Sequence, residues 1–324
     1  MQHKMIPALT VLAILGSAAA AMANGAVSEF PAGGIVFKPE KDISIASEDL
    51  EIGWDLIRVR YVFMSSASEP LQRTIGFPMA RVSLADGPDN IGNTTRAESG
   101  DDPHNYMAFE VAVNGKPLVP ALHEYAWSGD TNVTGKLLAL GVPLFAGDIG
   151  TYGKLAKLPE NTIGELTRQK LVVKESREDG WVIPLWDYQS VYEWTQTFAP
   201  GKTIVEIAYR PLFGTSYDSH SYYEDGAGAP LYCLEGEIRD RLARARREQI
   251  SSPVPFTVGY ILQTATNWHG PIGEFRLTVS DGHGSLFSFC VPEGLKPAGD
   301  GTSWVAEDFV PSSDLDIVFY VQDN

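Results

Sequence analysis

Two short clusters combine residue types that can do chemistry. Trp186, Asp187 and Tyr188 are consecutive, and Trp268-His269 lies in the Gly/Pro-rich stretch Asn267 to Pro271. An aromatic ring beside a carboxylate or imidazole pairs a stacking surface with a hydrogen-bonding group, the combination used by ligand sites on rigid β scaffolds. These five residues form the candidate ligand surface. The competing reading makes the tryptophans core plugs, their usual fate in a β-sandwich. The remaining chemistry is thinner. His104, His123, His220, His269 and His283 are scattered, and no GxSxG, SxxK or HExxH pattern occurs. His220 has Ser216, Asp218, Ser219 and Ser221 around it, but members of a catalytic triad are usually distant in sequence. Asp86, Asp89, Asn90, Asp101 and Asp102 offer oxygen ligands without the fixed spacing of a calcium loop. His104 or His269 with carboxylates lacks the spacing of a zinc site. No catalytic, metal-binding or cofactor-binding residue is assigned, and no cofactor is expected. Whether the protein is an enzyme stays open, with the balance against it.

The elements that must position the first cluster lie between Gly180 and Gly214, a stretch that also contains Trp181 and Trp194. Tyr192, Trp194, Gln196 and Phe198 alternate with Glu193, Thr195 and Thr197. Beyond Pro200-Gly201, Thr203, Val205, Ile207 and Tyr209 alternate with Ile204, Glu206, Ala208 and Arg210. Period-two alternation is the mark of half-buried strands, and Pro-Gly suits a turn. The stretch is expected to form a β-hairpin with an aromatic core face.

Similar alternation recurs along the chain. Ile57, Val59, Tyr61 and Phe63 oppose Arg58 and Arg60, while Ser47-Glu48-Asp49 and Gly53-Trp54-Asp55 read as turns. Residues 85–105 read as a long polar loop. Phe109, Val111 and Val113 lead into Asn114-Gly115, a strong hairpin signal, with Pro117 and Pro120 marking an edge or irregular return strand. Residues 159–169 (PENTIGELTRQ) suit a short helix. Residues 235–250 suit a longer one, with a narrow stripe of Ile238, Leu242, Ala245 and Gln249 and five arginines best read as a solvated face. Strands return from Phe256 to Val321. The expected fold is mainly β: an antiparallel β-sandwich-like architecture, in one large or two modules, with a helical insertion and one surface helix. The expected divisions are a signal peptide at 1–23, an N-terminal β-rich region at 24–130, a mixed or helical insertion at 131–179, and a C-terminal β-rich region at 180–324.

Composition narrows the setting. The 324 residues carry a net charge of -16, which argues against nucleic acid as a partner because such binding needs a basic surface. Mean hydropathy is -0.09, and after the N-terminus no run approaches the length a membrane-spanning helix needs, so none is expected in the mature chain. Lys4, the apolar stretch Ile6 to Ala21 and Ala21-Met22-Ala23 have the form of a cleavable signal peptide, cut near Ala23-Asn24. Cys233 and Cys290 are the two cysteines, each in a strand-like apolar context, and in an exported chain they are expected to pair.

Several motifs are familiar in order. They include Ser28-Glu29-Phe30, Ile75-Gly76-Phe77-Pro78, the run Trp194 to Lys202, Tyr209-Arg210-Pro211, Tyr232-Cys233-Leu234 and the run Trp268 to Leu277. Together they resemble a bacterial exported family known as "domain of unknown function 4424", across nearly all of the mature chain. The resemblance implies an envelope protein with a signal peptide and transfers no catalytic residues. The expected product is a periplasmic or secreted, acidic, non-catalytic component that binds an envelope protein, a glycan or a peptide. The alternative is an envelope hydrolase or other enzyme with an unrecognised site.

Overall fold

The computed structural model describes residues 26–29, 36–85, 91–92, 107–144, 155–174, 182–215, 226, 228–247, 254–280, 286–299 and 301–321. The proposed leader, Trp181, His104, His220, His283 and the acidic residues between 86 and 102 lie outside them.

The fold is mainly β, built on an eight-stranded sheet. Its strands run in the order Lys296–Pro297, Ser303–Phe309, Ile272–Val279, Ile43–Ile52, Ile57–Ser65, Gly201–Tyr209, Glu110–Val113 and Lys116–Leu118. Ile43–Ile52 pairs in parallel with Ile272–Val279, so segments from near both ends of the chain share this sheet. Two further sheets cover its inner face. A seven-stranded sheet is centred on Asp187–Phe198, flanked by Ala121–Ser128 and Leu71–Pro78. A five-stranded sheet is centred on Val254–Tyr260 and Leu315–Val321. The first interface is aromatic: Phe109 stacks on Tyr192 at 4.0 Å, and Phe77 meets Tyr209 edge-on at 5.9 Å. Across the second, Trp304 meets Phe289 at 4.9 Å, and Trp54 stacks on Phe256 at 5.4 Å. Burying aromatic area of this kind dominates core energetics, at roughly 25 cal/mol per Å² of apolar surface.

The strand faces follow the alternation. Tyr192, Trp194, Gln196 and Phe198 are buried while Thr195 and Thr197 are exposed, and Thr203, Val205, Ile207 and Tyr209 are buried in turn. The expected hairpin is nevertheless incorrect. Asp187–Phe198 pairs within the seven-stranded sheet and Gly201–Tyr209 within the eight-stranded one, so Pro200-Gly201 is a corner between layers. Gly201 supplies the positive φ of 86° that the corner requires.

A second correction concerns Ser47-Glu48-Asp49, which is no turn. Residues Ile43–Ile52 form one strand whose register shifts between Ile45 and Ser47. The extra residue, Ala46, switches the buried set from Ile43 and Ile45 to Glu48, Leu50 and Ile52, as a β-bulge must. The Asn114-Gly115 hairpin forms as expected, with φ of 50° and 73° at its centre, and its return strand with Pro117 lies at a sheet edge.

Helices occur at Thr134–Ala139, Glu160–Arg168, Gly228–Leu231 and Gly236–Arg247. Glu160–Arg168 starts after Pro159 as read, and buries Ile163 and Leu166. Gly236–Arg247 lies against the outer side of the five-stranded sheet. Leu242 is buried and Ile238 packs beside it against Val318 and Tyr320; the Ala245 side chain and Gln249 lie outside the described residues. The disulfide Cys233–Cys290 is formed. Cys233 follows the helical turn Gly228–Leu231, not a strand, and Cys290 follows the strand Leu286–Phe289.

Candidate functional site

The outer face of the eight-stranded sheet carries a ladder of alternating charge. In register across four adjacent strands stand Arg276, Asp49, Arg60 and Glu206. Strand spacing of about 4.8 Å therefore sets positive and negative groups in turn. Arg276 Nε lies 3.6 Å from Asp49 Oδ1, and Arg60 Nε 3.8 Å from Glu206 Oε1. One rung over, Arg58 Nη1 lies 3.5 Å from Glu51 Oε2. These side chains are all well exposed, and pairs so long and so wet contribute about 0–1 kcal/mol each. They hold one another loosely and can exchange partners at little cost.

The ladder lines a groove of about 1330 Å³. Its apolar lining includes Pro117 and Leu118 on the edge strand, Val119 and Pro120 on the connection that follows, and Leu122 at the start of the next strand, in the seven-stranded sheet. Val119 is 95% exposed, whereas the stacked pair Phe109 and Tyr192 borders the groove but is almost wholly buried. Glu110 and Glu124 add carboxylates. The site offers both charge signs beside an aliphatic surface.

The five residues of the candidate ligand surface do not share this face. Trp186 and Tyr188 are each 1% exposed and Trp268 is 3% exposed. Trp186 donates its indole N–H to the Leu144 carbonyl at 3.0 Å, and Trp268 packs on Phe63 at 4.6 Å. They are core plugs. Tyr188 donates to Glu124 Oε1 at 2.8 Å and so fixes one carboxylate of the groove. Asp187 is half-buried, opposite Trp127 and Ser83 in the seven-stranded sheet. Nearby, Arg81 lies 4.2 Å over the Trp127 ring and donates to the Gly129 carbonyl at 3.0 Å. Burial pulls the Arg81 guanidinium below its ordinary pKa, against the opposing pull of Asp187 and Asp130. His269 is exposed, and its backbone N–H donates to the Ile43 carbonyl at 3.0 Å.

His123 Nε2 lies 2.7 Å from Glu193 Oε2 on the seven-stranded sheet. Burial, with Glu193 adding to it, pushes the Tyr125 phenol up. Among the described residues, no group of three or more His, Cys, Asp or Glu could hold a metal ion, and no helix is long and apolar enough to cross a membrane.

Sequence reading placed Arg58 and Arg60 on the outer face of their strand but missed Asp49, Glu206 and Arg276 as their neighbours. The alternation of Glu206 with Ile207 and of Arg276 with Leu277 was the available signal. Strand order, which a single sequence does not encode locally, was the missing one.

No curated protein matches the chain significantly. Among solved structures, one from Legionella pneumophila subsp. pneumophila str. Philadelphia 1, described provisionally as a nutrient binding protein, is similar. The identity is 14% and the TM-score 0.43, over 93% of this chain and 72% of that one, too distant to bear on function. Residues 23–318 match the family described as "Domain of unknown function (DUF4424)", and the chain belongs to that family.

Proposed function

We propose that this is an exported, non-catalytic binding protein of the cell envelope, whose groove on the eight-stranded sheet holds a polypeptide segment carrying both signs of charge. The observation that carries this reading is the ladder Arg276–Asp49–Arg60–Glu206 beside the apolar surface of Leu118, Val119 and Leu122. Alternating fixed charges favour a partner with complementary alternation and disfavour uniform polyanions and polycations, which would meet like charge at every second strand. The aliphatic surface supplies the desolvated area that charge pairs alone lack. Support for export comes from the apolar stretch Ile6 to Ala21 ahead of Ala21-Met22-Ala23, and from the disulfide, since such bridges persist in oxidising compartments.

The test is binding of labelled peptides of alternating Lys and Glu, compared with all-Glu and all-Lys peptides of equal length, by fluorescence anisotropy. The alternating peptide is expected to bind best, and Arg60→Ala with Glu206→Ala to weaken it about tenfold. Equal binding of all three peptides, or indifference to both substitutions, refutes the assignment.

A further inference from the structure

The helix Gly236–Arg247 is a basic island on an acidic protein. Its twelve residues hold five arginines against Glu237 and Asp240, whereas the whole chain carries -16. Leu242 and Ile238 are committed to Val318 and Tyr320, so the apolar side of the helix is already used. Arg241, Arg244 and Arg247 are exposed and recur every three residues, which lays them along about 9 Å of one side of the helix.

Local pairing does not absorb them. Glu237 precedes Arg241 by four residues and Asp240 precedes Arg244 by four, the spacing and order at which helical ion pairs form best. Yet Arg241, Arg244 and Arg247 make no ion pair within 4 Å among the described residues. The helix dipole accounts for cations in the last turn, where Arg244 and Arg247 lie, but not for Arg241 at mid-helix. The unit is also held in place. Cys233, just ahead of the helix, is bridged to Cys290 beside the five-stranded sheet, and Ser288 Oγ donates to the Tyr232 carbonyl at 2.9 Å. Leu231 and Val291, 49% and 45% exposed, adjoin that bridge.

We infer that this helix is a docking surface for a carboxylate-rich segment of a partner protein. Three guanidiniums along about 9 Å, without an ion pair among the described residues, match a short run of Asp or Glu, each able to accept a bidentate pair. A membrane fits less well. An anionic bilayer presents charge across its whole plane, where a chain at -16 is repelled, and the helix has no spare apolar side to insert.

The experiment uses the full chain, a fluorescein-labelled hexaglutamate peptide, a hexalysine control, and vesicles of phosphatidylglycerol and phosphatidylcholine. Hexaglutamate is expected to bind at low salt and to weaken steeply as salt rises. The triple change Arg241→Gln, Arg244→Gln and Arg247→Gln should lower affinity at least tenfold, and Arg244→Gln alone about threefold, while Arg60→Ala in the groove has no effect. The single variant decides the matter if the triple variant fails to fold. The inference is overturned if hexaglutamate does not bind, if the arginine changes leave binding intact, if Arg60→Ala abolishes it, or if vesicles bind more tightly than the peptide.

Discussion

The hydroxyls of Tyr61 and Tyr260 meet 3.1 Å apart across 199 residues of sequence, joining the eight-stranded sheet to the five-stranded one. The bulge at Ala46 turns Glu48 inward beside them, fully buried, and Tyr260 hydrogen-bonds with it. Burial, with the negative charge of Glu48 adding to it, holds both phenols well above the ordinary tyrosine range, and burial does the same for Tyr209. An acid whose pKa is raised by folding contributes stability that is present at low pH and lost as pH rises past its unfolded value, here about 10. The protein should therefore lose stability above about pH 10, with these three phenols ionising only as it unfolds. Ultraviolet titration checks this, and ionisation of every tyrosine in the folded state would contradict it. Tyr260→Phe removes a partner from both Tyr61 and Glu48 and should cost about 1–3 kcal/mol in urea unfolding.

The bulge has its own requirement. A Cβ added at Gly273 would lie 2.7 Å from the Ala46 carbonyl oxygen, a backbone atom that cannot swing away. Gly273→Ala is therefore expected to destabilise by about 2 kcal/mol, although alanine is normally the better strand residue. Chemical denaturation should show this loss, and a neutral result would mean that the two strands separate freely. Gly115→Ala would meet nothing within 4 Å, so any loss there reflects its positive φ alone and is expected to be smaller.

Glu40 is the other buried carboxylate among the described residues, and its partner is clear. It accepts from Arg73 Nε and from the amides of Lys41 and Asp42, each of the latter at 2.8 Å. Burial pushes its carboxyl up, but the Arg73 hydrogen bond and the two amides outweigh that, and the net shift is downward. A depressed carboxylate stabilises the fold above its unfolded pKa and loses that contribution as pH falls through the folded value. Glu40→Gln should thus cost about 1–2 kcal/mol at neutral pH by weakening the hold on the partly exposed Arg73, and the gap to the unmodified protein should close in acid. Thermal unfolding of both proteins between neutral pH and pH of about 3 measures it. A gap that stays constant across the range would show that the charge is irrelevant.

What could be read from sequence was periodicity, and what could not was partnership. Ile57, Val59, Tyr61 and Phe63 are buried, with Arg58 exposed, because alternation depends only on neighbours along the strand. Pro200-Gly201 was misread because a hairpin and a corner between sheets produce the same alternation. In both, Phe198 and Val205 point to the core, and only the pairing of distant strands distinguishes them. Ala46 hid for a related reason: one inserted residue breaks the period, and Glu48 then looks like turn punctuation. The aromatic ligand surface failed because residue type does not encode depth; Trp186 and Trp268 have the same chemistry in a groove as in a core. The charge ladder escaped because Asp49, Arg60, Glu206 and Arg276 are neighbours only once the strands are ordered.

Cys233 and Cys290 were legible as a pair, and their bridge makes the last prediction. It closes a loop of 57 residues, which by loop entropy corresponds to about 4 kcal/mol. The strand Leu315–Val321 shows what it protects. Ile317 and Phe319 belong to the main core, while Val318 and Tyr320 belong to the smaller cluster with Tyr232, Leu234 and Leu242. The helix adds a layer over a strand already anchored on its other side, so without the bridge the layer can detach before the sandwich opens. Reduction, or Cys233→Ser with Cys290→Ser, is therefore expected to lower the melting temperature and to split one transition into two, the earlier losing helix signal in far-ultraviolet circular dichroism. A single transition at an unchanged temperature after complete reduction would show that Leu242 and Ile238 hold the helix without covalent help.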